Sequence, residues 1–536
     1  MHEFDYAQAL SWSDFQTLAA TPSASPWCRR SADEATSLPT VIPVWRTLGD
    51  DWLTPVQALS AAEATGSYLL ESIAPEARLG RYSFVGLSSA EQVRGLQDRF
   101  EWRRGAGSEW QADIGVDPWE RLRQQLGSWC PPKLETEVPF WGGAVGYVAY
   151  DAVRRFEPSV APLAALTDGY EFAFAFGGTS VVFDQRQGRL WLLHLQRICA
   201  TPTGAERVRY LRTTFDAAQA ELDAWQARLG KAAKPEPLRL GDVGSAALPG
   251  SSFTREAYKQ AVVQAQEHIR AGDIFQVVLS QRFVLPRQSA SFFDIYRALR
   301  QLNPSPYLFQ INFEELALAG ASPETLVRVH HGEVELKPIA GTRPRGRDAA
   351  EDVCLGEELL ADPKERAEHV MLVDLGRNDI GRISEVGSVH LEDLMTVERY
   401  SHVMHIVSRV LGRLRPDLNA LDVLRASLPA GTLSGAPKVR AMQIIDALEG
   451  QARGIYGGAV GYLGFDGNAD FAIAIRTVAG VGDEVRIQTG AGIVEASDPD
   501  AEYEETINKA RAALLAVALA RDHASFPAQG GRSSQD

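Results

Sequence analysis

The sequence predicts a mixed α/β protein in two long regions, and three observations carry that prediction. Strand-like runs such as SYLLESI and RYSFVGL alternate with helical patterns from Val41 to about Trp225. The same mixture returns after Phe253, beyond GKAAKPEPLRLGDVGSAALPGSS, whose Gly, Pro, Ala and Ser content reads as a linker. Of the 536 residues 45% are hydrophobic. That supports a large core, and the length suits roughly three domains or one extended sheet system.

In chain order, residues 1–40 are weakly patterned and read as a loosely held extension. Region 41–229 follows. Within it SVVFDQRQGRLWLLHL reads as a hairpin about Gln185–Gly188, and Gly204–Leu229 carries a long helical pattern. The linker is 230–252. Region 253–521 opens with TREAYKQAVVQAQEHIRAGD, an amphipathic helix with Thr254 as N-cap and Gly272 as stop. The strand IFQVVLSQRFVL comes next. The tail 522–536, with ASFPAQGGRSSQD, has a composition that reads as disordered. One echo stands out: GGAVGYVAYD (142–151) and GGAVGYLGFD (457–466) match at seven of ten positions. Either both are glycine-opened strands of similar composition, or they are related sheet halves facing each other.

The formal charge of −15 argues against nucleic acid or an anionic membrane as partner. An anionic substrate would then need a local cation. No eighteen-residue apolar run suggests a membrane-spanning helix, and MHEFDYAQALSW does not read as a secretory signal. The four cysteines are scattered without a Cys-x-x-Cys pair, so neither a zinc site nor a disulfide framework is expected, and a reducing cytoplasm fits best.

The chemistry begins at KERAEHVMLVDLGRND (364–379). As a helix it places Glu365 and Glu368 on one face. DAEYEETINKARAA (500–513) repeats the spacing with Glu502 and Glu505 at the head of another helix. If the helices cross, four carboxylates share one space, and a hard divalent ion would relieve their repulsion. Oxygen-only ligands point to Mg²⁺. Glycine turns offer backbone amides for small anions: KPIAGTRPRG at Gly341 and Thr342, LPAGTLSGAPKVRAM with Ser434 as an expected N-cap and Pro437 in the first turn, and TGAGIVEAS. None is a complete phosphate-binding fingerprint. His402 and His405 fall on opposite faces of an expected strand. Arg476 follows an apolar strand, so it must be paired, exposed or binding an anion.

These pieces resemble the large, chorismate-utilising subunits of anthranilate synthases. The similarity runs through SYLLES with RYSFVG, NPSPYLFQ, ASPETL, PIAGTRPRG, DPKERAEHVMLVDLGRNDIGR, LSGAPKVRAM, IRTV, and QTGAGIV leading to EYEETINKA. The resemblance implies two large, mainly antiparallel sheets packed as a sandwich, with helices outside. It implies Mg²⁺ held by Glu368 and Glu505, with Glu365 and Glu502 nearby, binding the ring carboxylate of chorismate. Arg476, Tyr456 and the backbone near Gly490, Ala491 and Gly492 would take the enolpyruvyl carboxylate, and Gly341 and Thr342 would line the pocket. Glu324 would protonate the departing 4-hydroxyl while ammonia adds at the 2-position. His405, with Thr342 beside it, would assist loss of pyruvate and so leave anthranilate.

Sibling enzymes separate at two positions. Isochorismate and salicylate synthases have a water-activating lysine where this chain has Gln276, and an amide is a poor base. Aminodeoxychorismate synthases have a lysine nucleophile where this chain has Ala340. Both residues favour free ammonia as nucleophile. No Gly-x-Cys-x-Gly turn appears, so the resemblance implies a separate glutamine amidotransferase subunit as ammonia source. It also implies feedback inhibition by tryptophan, at a site away from the catalytic pocket. That site would be formed by Leu70, Glu71 and Ser72 with the turn Asn303, Pro304, Ser305, Pro306 and Tyr307. Two alternatives stand beside this reading: an aminodeoxychorismate synthase component, or an inactive tryptophan-binding member of the family.

Overall fold

A computed structural model of the chain describes residues 9–23, 25–28, 39–62, 64–72, 80–105, 107–160, 169–199, 202–239 and 248–525, apart from 401 and 402. Two antiparallel sheets dominate it, one of eleven strands and one of twelve. Both regions of the sequence contribute to both sheets, so they are not separate bodies. The first sheet joins them where Tyr68–Glu71 pairs with Tyr307–Asn312, with Leu70 opposite Phe309. The second joins them where Gly143–Val148 pairs with Ala459–Gly464.

That second joint corrects the reading of the echo. The two similar segments do not face each other from opposing sheets; they are hydrogen-bonded neighbours in one sheet. Gly146 lies opposite Gly461. A Cβ on Gly146 would stand 1.9 Å from the Ala173 carbonyl oxygen, and one on Gly461 would stand 2.0 Å from that of Asp470. The shared glycines therefore answer the same steric demand on either side of a local two-fold relation. A period-two pattern shows which face a residue takes but not which strand lies beside it.

The sheets meet through large side chains. The Phe84 ring of the first sheet lies 6.2 Å from Tyr462 of the second and 5.5 Å, edge-on, from Phe140. Edge-to-face pairs of this kind add about 0.5–1.5 kcal/mol beyond their buried area. Helices cover the outside. The final helix, Pro499–Ser525, buries Ile507, Ala510, Ala513, Ala516, Val517 and Ala520, and packs on the strand Glu484–Ile493. That spacing of three and four residues is the apolar stripe of a helix lying on a sheet. It runs past the expected tail boundary at Asp522; residues 526–536 lie outside the described residues.

Local punctuation largely follows the sequence. The hairpin strands are Thr179–Asp184 and Arg189–Arg197, and the long helix is Gly204–Leu229. Thr254 caps Arg255–Arg270 by accepting from the Ala257 amide. Three expectations need correction. Part of the supposed extension is packed: Ser11 and Asp14 cap the helix Trp12–Ala20, Phe15 and Leu18 are buried, and Trp27 donates to the Gly464 carbonyl at 2.8 Å. Nine helical residues without a long repeat leave little pattern to read. Ser434 is not an N-cap. The helix Lys438–Glu449 starts after Pro437 with no side-chain cap, and Ser434 donates back to Ala430. Finally, Cys130 is disulfide-bonded, whereas Cys199 and Cys354 are exposed and not part of a disulfide.

Candidate active site

The cleft that collects the expected residues holds about 630 Å³ and is lined by Glu324, Ala340, Gly341, Thr342, His405, Thr432, Tyr456, Arg476, Gly490, Gly492 and Lys509, among others. Glu324 follows the strand Leu316–Ser322 and Pro323. Its carboxyl accepts a hydrogen bond from the Thr432 hydroxyl at 2.8 Å. Burial pushes its pKa up to about 7, with Thr432 and the charge of Lys509 opposing. Near neutrality this side chain can therefore be a proton donor.

His405 lies on Val403–Arg413, paired with Ile339–Pro344, where it stands opposite Thr342. Its Nδ1 is 2.9 Å from the Gly341 carbonyl oxygen and 3.2 Å from the Thr342 hydroxyl. The carbonyl can only accept, so Nδ1 carries the hydrogen and Nε2 is left as a base. Burial lowers the imidazole pKa, with the Gly341 bond and Glu398 opposing. His402, the other histidine of the segment, lies outside the described residues. Gly341 sits where the strand register shifts, at φ +66°. A Cβ there would come within 2.9 Å of Leu359 and 3.1 Å of a Glu365 oxygen. Only glycine allows this bulge to bring its carbonyl against His405.

Arg476 adopts the left-handed region at φ +50°. Its backbone carbonyl accepts from the Ala321 amide at 3.2 Å, but its guanidinium has no hydrogen-bond or ion-pair partner among the described residues. Desolvation lowers its pKa, with Tyr456 and Glu505 opposing. A half-buried, strained and unpaired arginine facing a cleft is an anion site by chemistry. Gly490 and Gly492 face the same space: a Cβ on Gly490 would lie 2.6 Å from the Tyr456 hydroxyl, and one on Gly492 would lie 2.7 Å from Gln276 Nε2. Ala491 does not join them. Strand alternation turns its side chain into the buried cluster with Val277 and Leu279, so only its backbone is available.

The two carboxylate pairs stand on Pro363–Gly381 and Pro499–Ser525. Their carboxylates lie close enough to interact electrostatically: the Glu368 pKa is raised by burial first, then by Glu365 and by Glu505. Glu502 is raised by burial first and also by Glu505. Part of the charge is already matched, since Lys509 lies 2.6 Å from Glu505 and Arg343 lies 3.5 Å from Glu365. Among the described residues no three such groups converge on one metal position. The donor set nevertheless suits a hard cation: four carboxylates, two with ionisation disfavoured by their like-charged neighbours. Glu505 lines an opening that shares Arg476 and Lys509 with the cleft, so this carboxylate stands beside it.

The remaining expected residues come together differently than anticipated. Glu71, on the strand beside Tyr307–Asn312, is buried and already accepts from Tyr296 and from Arg300 at 3.0 Å. Leu70 is half-buried beside it, and the Ser72 hydroxyl is buried without a partner among the described residues. The turn is not remote from the cleft: Asn303, Pro304, Ser305 and Pro306 form part of its wall. Tyr307 is held by Asp470 at 2.8 Å and Thr325 at 2.9 Å. Sequence reasoning missed Thr432 and Lys509. Both lay inside quoted motifs: Thr432 in LPAGTLSG, and Lys509 one helical turn after Glu505, a spacing that signals a pair.

Fold and cleft together define a chorismate-binding enzyme: the family described as chorismate binding enzyme matches residues 84–515, and the chain belongs to it. Its relatives give a narrower likeness. Anthranilate synthase component 1 of Aquifex aeolicus is 42% identical over 485 residues, covering 90% of this chain and 96% of that protein. The protein of the same name from Pseudomonas aeruginosa is 43% identical over 475 residues, covering 88% and 94%. The crystal structure of anthranilate synthase component I from Streptococcus pneumoniae superposes with a TM-score of 0.69 at 35% identity, covering 90% of this chain and all of that one.

Proposed function

We propose that this chain converts chorismate and ammonia to anthranilate and pyruvate, as the chorismate-using component of an anthranilate synthase. The observation that carries the reading is the unpaired Arg476 guanidinium in a cleft that also holds a neutral acid, Glu324, and a neutral base, His405. Arg476 and the amides beside Gly490 and Gly492 receive the enolpyruvyl carboxylate. Tyr456 packs beneath it. Glu324 protonates the 4-oxygen, which departs as water while ammonia attacks the 2-position. His405, held by Gly341 and beside Thr342, moves the ring proton as pyruvate departs. Ala340 offers no nucleophile and Gln276 no base, which leaves ammonia as the attacking group.

Glu368 and Glu505, with Glu365 and Glu502, would hold Mg²⁺, which supplies Lewis-acid polarisation and orientation of the ring carboxylate. A separate glutaminase subunit as ammonia source, tryptophan as feedback inhibitor and a cytoplasmic location complete the proposal. The test is direct: chorismate, Mg²⁺ and an ammonium salt with the folded chain should give rising anthranilate fluorescence. A flat trace would sink the reading, and an aminated product that keeps its pyruvyl group would replace it with aminodeoxychorismate synthesis.

A further inference from the structure

Glu324 and Thr432 line a second cavity as well as the main cleft. It holds about 50 Å³ and is bounded by Leu336, Leu372, Leu375, Gly376 and, farther along the chain's fold, Asp379. That is room for roughly two to three water molecules. We propose that this cavity is the route by which Glu324 regains its proton, with Asp379 relaying protons through water held inside. The inference rests on the reading of Glu324 as the acid of the proposed reaction.

The proton balance requires that Glu324 be reprotonated in every turnover. Glu324 gives its proton to the 4-oxygen as the ring carbon–oxygen bond breaks, the bonding pair going to oxygen, and water leaves. The new carbon–nitrogen bond forms at the 2-position, and the surplus proton on nitrogen departs through the main cleft to solvent. Glu324 is then an ionised carboxylate, and one proton must return to it from solvent before the next turnover. While product fills the main cleft, the second cavity offers a path that product does not occupy.

Asp379 is placed to start that path. One of its oxygens accepts from Lys438 at 2.7 Å. The other, Oδ1, is buried with no hydrogen-bond partner among the described residues. Asp379 borders the cavity, and a small shift of this oxygen toward it would give water a carboxylate partner. The Arg382 guanidinium lies 3.7 Å from Oδ1 and its side chain is 62% exposed, so this end stands one side chain from solvent. Burial raises the Asp379 pKa while Lys438 and Arg382 oppose. At the inner end Thr432 binds Glu324 and Lys509 contributes charge. Lys337, also in the wall, is engaged by Glu398 at 2.8 Å. The other walls are mainly apolar.

Two variants test the route in the full chain with chorismate, ammonium and Mg²⁺. Asp379→Asn removes the relay. Gly376→Ala adds a methyl to the cavity wall, where its nearest neighbours, Leu336 and Val410, are at 3.6 Å, so it fits without collision and suits a helix interior. Asp379→Asn should lower kcat by at least about tenfold, leave KM for chorismate and ammonium within twofold, and increase the solvent deuterium isotope effect on kcat. Small weak acids such as imidazolium should restore part of its rate. Gly376→Ala should lower kcat and increase the isotope effect in the same direction. An unchanged kcat and isotope effect in Gly376→Ala would overturn the route, even if Asp379→Asn fails to fold. So would a fall in kcat with no isotope change, which marks a structural role, or a rise in KM for ammonium alone, which marks an ammonia path. If wild-type chain makes no anthranilate, the reading of the whole site fails instead.

Discussion

Thr432 donates its hydroxyl hydrogen to Glu324 across 2.8 Å, and among the described residues this is the only hydrogen bond the carboxyl receives. One bond to one oxygen offsets little of the cost of burying a charge. Burial therefore favours the protonated form up to about neutrality, and the side chain faces the cleft as an acid. Activity should therefore persist below a pH of about 7, where Glu324 pKa lies, and decline as pH rises past it. Thr432→Val removes a bond that favours the ionised form, so the alkaline limb of kcat should move upward. A limb that stays in place would dissociate it from Glu324.

The same burial predicts a stability effect. The folded pKa, about 7, lies above the ordinary glutamate value of 4.5, so the folded chain holds more protons between these values. Its relative stability is greatest below the lower value and is lost as pH rises through the upper one. Glu324→Gln should abolish turnover yet gain up to about 3 kcal/mol over wild type at pH 8, with little gain at pH 4. Denaturant melts at both pH values measure the difference, and equal shifts at both would contradict a neutral buried carboxyl.

Much of this site was legible because its residues sit at breaks in local pattern. The carboxylate pairs head two helices, Gly341 marks a turn, and Arg476 ends an apolar run. What could not be read were relations between distant segments. No spacing rule predicts that Gly146 will lie against Gly461, or that Thr432 will reach Glu324 across more than a hundred residues. Alternation along TGAGI separates the Ala491 side chain from Gly490 and Gly492, and leaves at the strand between them the backbone that the resemblance assigned to the carboxylate. The packing of Phe15 and Trp27 depends on partners elsewhere in the chain, which nine helical residues do not announce.

The carboxylate pairs should behave as a metal site. Glu368→Gln and Glu505→Gln each remove a charged oxygen, and each should leave little turnover at limiting Mg²⁺. Thermal stability without metal should hold or rise slightly, because the Glu368 pKa is already raised by burial and by two neighbouring carboxylates. Calorimetry with Mg²⁺ and melting without it separate these effects. Near wild-type activity of either variant at limiting Mg²⁺ would remove the pairs from the metal assignment.

Arg476→Lys should act on binding. Lysine keeps the charge but loses the planar fork, and the left-handed backbone remains unfavourable for either residue. Losing a charge-assisted pair costs about 1.5–3 kcal/mol, so KM for chorismate should rise about 10- to 100-fold. Steady-state kinetics at saturating ammonium would show it. A fall in kcat with KM unchanged would place Arg476 in the chemical step rather than in holding the carboxylate.

Tryptophan inhibition gives the last prediction. Glu71 is buried but already engaged by Tyr296 and Arg300. An incoming ammonium must share that carboxylate or displace Arg300, so binding should be accompanied by movement around residues 296–300. The neighbouring turn, Asn303–Pro306, forms part of the catalytic cleft wall, so movement there reaches the substrate directly. Tryptophan inhibits if it binds a conformation with a poorly formed chorismate pocket more tightly than the active one. Linkage then requires chorismate to weaken tryptophan binding by the same factor. Ser72→Phe enlarges the side chain next to Glu71, where the Ser72 hydroxyl is buried without a partner among the described residues. That variant should keep most of its activity and lose its response to tryptophan. Calorimetry with tryptophan, with and without chorismate, and activity at rising tryptophan measure both effects. Wild-type chain that neither binds tryptophan nor loses activity at millimolar ligand would leave Leu70–Ser72 a structural strand end.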